Sequence, residues 1–179
     1  MISDKSGIKG RITATVFGPD GKVKMRPQNW LEKLLKLAPR EMISVNHNIV
    51  TNEGDALIVD MLVTTGTQTA VDNSNGEISV GTGFVSELKT TDALVTPTGA
   101  AEAMDATYPK QKGAFAAADD NVVQYRSTFE AGDLNQSGID EALLGNGTDT
   151  LAYAEISPAV NVTTADTLQV DWELTFLGS

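Results

Sequence analysis

Apolar and polar residues alternate along Gly10–Phe17, where Ile12, Ala14 and Val16 are separated by Arg11, Thr13 and Thr15. A period of two marks a strand with one buried face. Gly18-Pro19-Asp20-Gly21 follows as a turn, proline fixing φ and glycine accepting a positive φ, so Lys22–Met25 is expected to return as a short second strand of a hairpin. The period then changes. Within Gln28–Leu37, Trp30, Leu31, Leu34, Leu35 and Leu37 share one helical stripe, with Glu32, Lys33 and Lys36 on the other, between Pro27 and Pro39. A basic amphipathic helix can enter a partner groove or lie on a membrane; at this length the simpler expectation is that it covers the protein's own sheet. Ile43–Val50 is β-prone, and Glu53–Val63 is expected as a second helix, capped by Thr51 or Asn52, with Glu53 and Asp55 at the positive end of its dipole. Ala56, Leu57, Met61 and Val63 are its expected inward residues, and Gly66 ends it.

Downstream, β-like segments recur between turn residues: Glu77–Val80, Val122–Glu130, Leu151–Ile156 and Thr167–Phe176. The last is the clearest, with Leu168, Val170, Trp172, Leu174 and Phe176 on one face and Gln169, Asp171, Glu173 and Thr175 on the other. Ser86–Ala118 is rich in Thr, Ala, Gly and Pro and reads as long loops. No internal repeat or linker divides the chain. The expected fold is mainly β, a β-sandwich or jelly-roll-like domain with one or two short helices and an extended N-terminal arm. Residues 1–40 would form the arm, hairpin and short helix, and residues 41–179 the body of one compact domain.

Charge changes this picture. The 179 residues carry 13 basic and 24 acidic side chains, for a net charge of −11, which argues against wrapping duplex nucleic acid. Residues 1–40 nevertheless hold nine of the lysines and arginines against three acids. A cationic leader on an anionic body suggests electrostatic docking on an acidic partner or a neighbouring copy. With no cysteine, disulfides and thiolate chemistry are excluded. No apolar run approaches the roughly 20 residues that span a bilayer, and the first residues lack the apolar core of a secretory signal, so a chain made and kept in the cytoplasm is expected.

Candidate chemistry is sparse. Asp133-Leu134-Asn135-Gln136-Ser137-Gly138 has the spacing of a calcium loop, but Leu144 stands where the bidentate glutamate belongs. An Asx-rich loop leading into Gly138–Leu144 is the simpler reading. Gly81-Thr82-Gly83 lacks the lysine and further glycine of a phosphate cradle. His47 has no acid or serine at a motif spacing, and the adjacent pairs Asp119-Asp120 and Asp140-Glu141 are what an acidic chain contains by chance, although two carboxylates can run glycoside hydrolysis. No catalytic residue, cofactor or metal site is expected.

Several short motifs occur in order: His47-Asn48-Ile49-Val50-Thr51-Asn52-Glu53-Gly54 before the second helix, Ile78-Ser79-Val80-Gly81-Thr82-Gly83, Thr91-Asp92-Ala93-Leu94, Ile139-Asp140-Glu141-Ala142, Leu151-Ala152-Tyr153-Ala154 and Leu168-Gln169-Val170-Asp171-Trp172. From Asn48 to Trp172 this arrangement resembles tailed-bacteriophage virion accessory proteins, found as capsid cement or decoration proteins and as tail or fibre components; Gln28–Leu37 departs from them as an insertion. The resemblance implies a non-enzymatic structural protein, located in the virion after assembly in the host cytoplasm. Its partners would be the major capsid protein or other virion proteins and further copies of itself, with no nucleic acid and no membrane. Tail, collar or baseplate is the alternative location, and a carbohydrate-binding module the remote alternative function. The contacts expected to carry docking are Lys5, Lys9, Arg11, Lys22, Lys24 and Arg26 for charge, and Trp30, Leu31, Leu34 and Leu35 for apolar anchoring.

Overall fold

The computed structural model describes residues 7–63, 66–114 and 116–177. Lys5, the outermost of the expected docking cations, lies outside the described residues. The elements are β1 (Gly7–Phe17), α1 (Trp30–Leu34), β2 (Ile43–Val50), α2 (Asn52–Met61), β3 (Glu77–Thr82), β4 (Thr96–Ala103), β5 (Lys110–Gln111), β6 (Val122–Phe129), β7 (Gln136–Gly145), β8 (Thr150–Val162) and β9 (Thr167–Leu177). The protein is mainly β with two short helices. Among the described residues the nine strands form one antiparallel sheet in the order β4-β3-β7-β8-β2-β1-β9-β6-β5.

The alternation in β9 and β1 explains the centre of this sheet. Leu168, Val170, Trp172 and Leu174 are all buried, as are Ile12, Ala14 and Val16 on the strand beside them. Gly7–Phe17 is thus a central strand, paired along its whole length with β9 and along Gly10–Thr15 with β2, and not an arm. On the other half of the sheet Ile78 and Val80 of β3, Ala142 and Leu144 of β7, and Ala152, Ala154 and Ile156 of β8 supply the facing core.

The two sheets of the expected sandwich are one sheet curled over its apolar face. Register shifts at Ile78/Val80, Gln136/Ile139, Ile139/Glu141 and Leu144/Gly145 mark irregularities in β3, β7 and β8, and bulges of this kind bend strands and sharpen twist. The curl brings the end of β4 onto β6. There the Asp105 N–H donates to the Arg126 carbonyl at 2.8 Å, the Ser127 hydroxyl to the Glu102 carbonyl at 3.1 Å, and the Thr128 hydroxyl to the Asp105 carboxylate at 2.8 Å.

Four segments differ from their expected form. Ser86–Ala118, expected as loops, contains β4 and β5, and the Asx-rich loop expected ahead of Gly138 has already become strand β7 at Gln136. Lys22–Met25 makes only isolated bridges, Phe17 with Val23 and Met25 with Glu41, because the turn is followed by a wide excursion instead of a tight hairpin. In α2, Leu57 and Gly54 face inward, whereas Ala56, Met61 and Val63 are exposed. Gly54 approaches the sheet so closely that a Cβ there would overlap the Leu151 carbonyl, and this contact sets the face that the helix buries.

Gly10 and Asn48 are opposite each other in the β1–β2 ladder. A Cβ on Gly10 would occupy the space of the Asn48 amide, and neither polar atom of that amide has a hydrogen-bond partner in the structure. Gly10→Ala is expected to lower stability by about 1–3 kcal/mol through overpacking. Asn48→Ala removes an unsatisfied polar group at little cost, and the double variant should recover most of the loss. Urea unfolding of the four proteins checks this, since additive losses in the double variant would contradict the contact.

Candidate functional site

Three features on or near the surface are candidates: a buried polar centre at β7, an acidic hollow beside it, and the excursion that carries α1.

The polar centre gathers residues from four of the short motifs or their neighbours. Glu141 is fully buried. Its carboxylate accepts hydrogen bonds from the Val95 and Thr96 N–H groups, each at 3.0 Å, and from the Tyr153 hydroxyl at 2.6 Å. Gly81 is required by the same group: a Cβ there would lie 2.6 Å from Glu141 Oε1 and from the Thr96 carbonyl. Burial and the Glu141 hydrogen bond push the Tyr153 hydroxyl well above its ordinary range. The arrangement fastens the entry of β4 onto β3, β7 and β8, and with three donors already on it Glu141 is a structural anchor. The capping motif has a similar explanation. Thr51 Oγ1 accepts from the Gly54 N–H at 2.9 Å and donates to the Thr150 carbonyl, while Glu53 accepts from the Thr150 N–H at 2.8 Å. Thr51, Glu53 and Gly54 together cap α2 and seat it on β8.

Next to this centre Asn46, His47, Phe84, Glu87 and Glu155 line an open hollow of about 320 Å³, and Phe84 stacks on Tyr153 with ring centroids 5.9 Å apart. Burial holds the Glu87 carboxyl above its usual value, the Glu155 N–H and His47 opposing and the Glu155 charge adding to the rise. Among the described residues no cluster of three or more metal-ligating side chains is assembled. The calcium-like stretch is dispersed: Asp133 accepts from the Glu130 N–H at 2.6 Å, Asp140 accepts from the Phe84 N–H at 3.1 Å, and the Gly138 N–H bonds to Asn161 at 2.8 Å.

The α1 excursion is different in kind. Residues 27–39 are closed at the base by the Arg26 N–H donating to the Arg40 carbonyl at 2.7 Å. Arg26 staples that base to the body: its guanidinium donates to the Ser44 hydroxyl at 2.9 Å and to the Ile43 and Ala159 carbonyls at 3.1 and 3.0 Å. Lys24 is equally engaged, 2.5 Å from the buried Asp166 carboxylate. Burial raises the Asp166 pKa, but Lys24 and Thr163 outweigh it, so the group titrates below its usual range. These two expected docking cations are therefore bound within the chain. Lys9 and Arg11 are exposed on β1, and Lys22 is exposed at the turn.

At the tip, a complete capping box forms α1: Asn29 Oδ1 accepts from the Glu32 N–H at 2.8 Å, and Glu32 Oε2 accepts from the Asn29 N–H at 2.9 Å. Gln28 closes the loop by donating to the Leu37 carbonyl at 2.7 Å. None of the α1 residues is buried. Trp30 is 75% exposed, Leu34 67% and Leu35 60%, with Leu31 and Leu37 also open. The expected cover for the sheet is thus a preformed apolar knob, ringed by exposed Lys33, Lys36 and Arg40. Periodicity identified the stripe but not its direction, because a capped helix this short between prolines stands off the sheet. A second exposed apolar set, Val59, Met61, Leu62 and Val63, lies at and just beyond the end of α2; of these, Met61 and Val63 were expected to face inward.

Two outcomes follow. Glu141→Ala would leave two backbone N–H groups and a hydroxyl buried without partners, lowering stability by on the order of 3 kcal/mol or more, with Glu141→Gln intermediate; guanidinium unfolding reads both. Tyr125 is buried on β6 with its pKa pushed up to about 12 by desolvation. The unfolded chain loses that proton near pH 10 while the folded chain keeps it, so stability falls as pH rises between about 10 and 12. Tyr125→Phe should flatten that part of a stability-against-pH curve, and an unchanged slope would refute the assignment.

Comparison of the chain with protein-family models, with curated proteins and with solved structures finds no match.

Proposed function

We propose that the chain is a non-enzymatic structural protein of a tailed-bacteriophage particle, a cement or decoration protein that joins capsid subunits by burying surface. The observation that carries this reading is the α1 knob: five large apolar side chains left exposed on a locally capped turn of which no residue is buried. Exposed apolar groups gathered in this way mark interaction sites, and rigid aromatic and leucine anchors are what an interface uses at its centre. The order of short motifs supports the choice of particle. The motif residues that the structure explains, Thr51, Gly54, Gly81, Glu141 and Tyr153, act in capping and packing, which fits a protein selected for shape and contact.

Lys33, Lys36 and Arg40 around the knob suit an acidic partner surface. Repetition over a lattice would make each modest contact sufficient, since avidity multiplies single affinities. Removing residues 1–26 is not a clean test of docking, because it deletes the central strand β1. The paired substitution Trp30→Ser and Leu34→Ser changes two exposed side chains and should leave the melting temperature unchanged. Mass-spectrometric copy counting on purified particles is expected to find the wild-type chain in proportion to the shell subunit and the variant reduced at least tenfold. A wild-type chain absent from particles, or a variant incorporated at equal copy number, would overturn the proposal; a few copies per particle would place the chain in the tail, collar or baseplate.

A further inference from the structure

The knob and the second exposed apolar set differ in charge and lie at opposite ends of one strand. The knob excursion returns to the sheet immediately before Ile43, where β2 starts, and α2 leaves immediately after Val50, where β2 ends. Eight residues at about 3.3 Å each separate the two ends by roughly 25 Å, and no residue of α1 lines the groove at the α2 end. This groove of about 550 Å³ opens along α2, with walls of Ala56, Leu57, Val59 and Val63. This lies in the roughly 300–1,000 Å³ range of pockets that enclose a drug-sized group, the scale of an indole with a neighbouring leucine.

The rim of the groove is acidic. Glu53, Asp55, Asp60 and Asp149 line it. Lys89 pairs with Asp55, but among the described residues no lysine or arginine forms an ion pair with Glu53, Asp60 or Asp149. Asp60 is held in place by the Thr67 and Gln68 N–H groups at 3.1 and 2.9 Å, and Glu53 by the Thr150 N–H at 2.8 Å, so the negative rim is fixed. The knob presents the complement, Trp30, Leu31, Leu34 and Leu35 bordered by Lys33, Lys36 and Arg40.

We infer that the occupant of the α2 groove is the α1 knob of a second copy of this chain, so that copies associate head to tail. The inference rests on the reading of the knob as a docking element and adds its partner. A symmetric knob-to-knob contact would set the cations Lys33, Lys36 and Arg40 of two copies against each other, whereas the groove opposes them with carboxylates. Because the two surfaces differ, the contact is heterologous: it closes into a ring if the rotation between copies allows, and otherwise extends. One knob in one groove buries less than a standard interface, which places the single contact among weak ones, and its ionic rim makes it weaken as salt rises.

Two variants separate the surfaces. Trp30→Ser with Leu34→Ser removes the knob but keeps the groove. Ala56→Lys with Val59→Lys, both at exposed positions of α2, places cations in the groove and keeps the knob. Thermal melting confirms that each is folded. In sedimentation equilibrium over a concentration series the wild-type chain is expected to self-associate, less so at high salt, and each variant alone to remain monomeric. The two variants mixed in equal amounts should form a 1:1 dimer that grows no further, since that pair has one intact knob and one intact groove. A groove variant that still self-associates, a mixture that stays monomeric, or a wild-type chain that is monomeric throughout would overturn the inference. So would wild-type chain that binds anionic phospholipid vesicles through the knob without associating with itself. These outcomes leave the particle assignment standing or falling on its own measurement, because knob-dependent incorporation without self-association identifies a different partner for the same knob.

Discussion

A sheet with one apolar face and only two short helices can hide that face by folding over itself. Trp172, Leu168 and Ile12 on one half and Ile78, Leu144 and Ile156 on the other are buried together because the sheet between them bends. The bending requires irregularity where a flat ladder would keep the halves apart, and β7 and β8 provide it through three register shifts. The same bend brings β4 to β6, and the hydrogen bonds of Asp105, Ser127 and Thr128 across that meeting satisfy groups that an open sheet would leave to water.

Once the sheet supplies both sides of its own core, the helices are not needed as a layer. α2 contributes Leu57, the half-buried Ile58 and the close approach of Gly54, and no residue of α1 is buried. Apolar residues on such elements are therefore not explained by folding. The chain nonetheless invests local structure in α1: a reciprocal capping box, a glutamine closing the loop, and the Arg26 staple at its base. A segment with no packing partner would be marginal as an isolated turn, and these hydrogen bonds give it a defined shape before any partner arrives, which reduces the ordering cost of association.

How far the sequence revealed this depends on whether a local pattern coincided with a tertiary one. β9, β1 and β2 were legible because each has one face in the core and one in water. β4 was not: Thr96–Ala103 holds Pro97, Gly99 and small residues, and its place in the sheet is set from a distance, by β3 and by the buried Glu141 that grips its first N–H groups. β7 was masked by Ser137 and Gly138, turn-forming residues that here lie inside a bulged strand. In α1 the period was right but nothing covers the stripe, and in α2 Leu57 alone of the expected inward residues is buried, because periodicity reports that a stripe exists and tertiary spacing decides how much of it is covered. Charge counting had the same limit. The basic excess of residues 1–40 is real, but Lys24 and Arg26 are engaged by Asp166, Ser44 and backbone carbonyls, leaving Lys33, Lys36 and Arg40 as the cations that border the exposed knob.

The direction of β2 turns these separate facts into a polarity. Because an extended strand is stiff, the segment before Ile43 and the segment after Val50 leave from opposite ends of β2. The chain places its cationic apolar excursion at one end and its anionic apolar groove at the other. A molecule with two complementary ends has no need of a symmetric surface to assemble, and the acidic body between the ends discourages sideways aggregation through like-charge repulsion. Of the nine basic residues within residues 1–40, Arg11 sits opposite His47 near the far end of β2 and Lys24 and Arg26 are engaged within the chain, so the cationic character of the excursion rests on Lys33, Lys36 and Arg40.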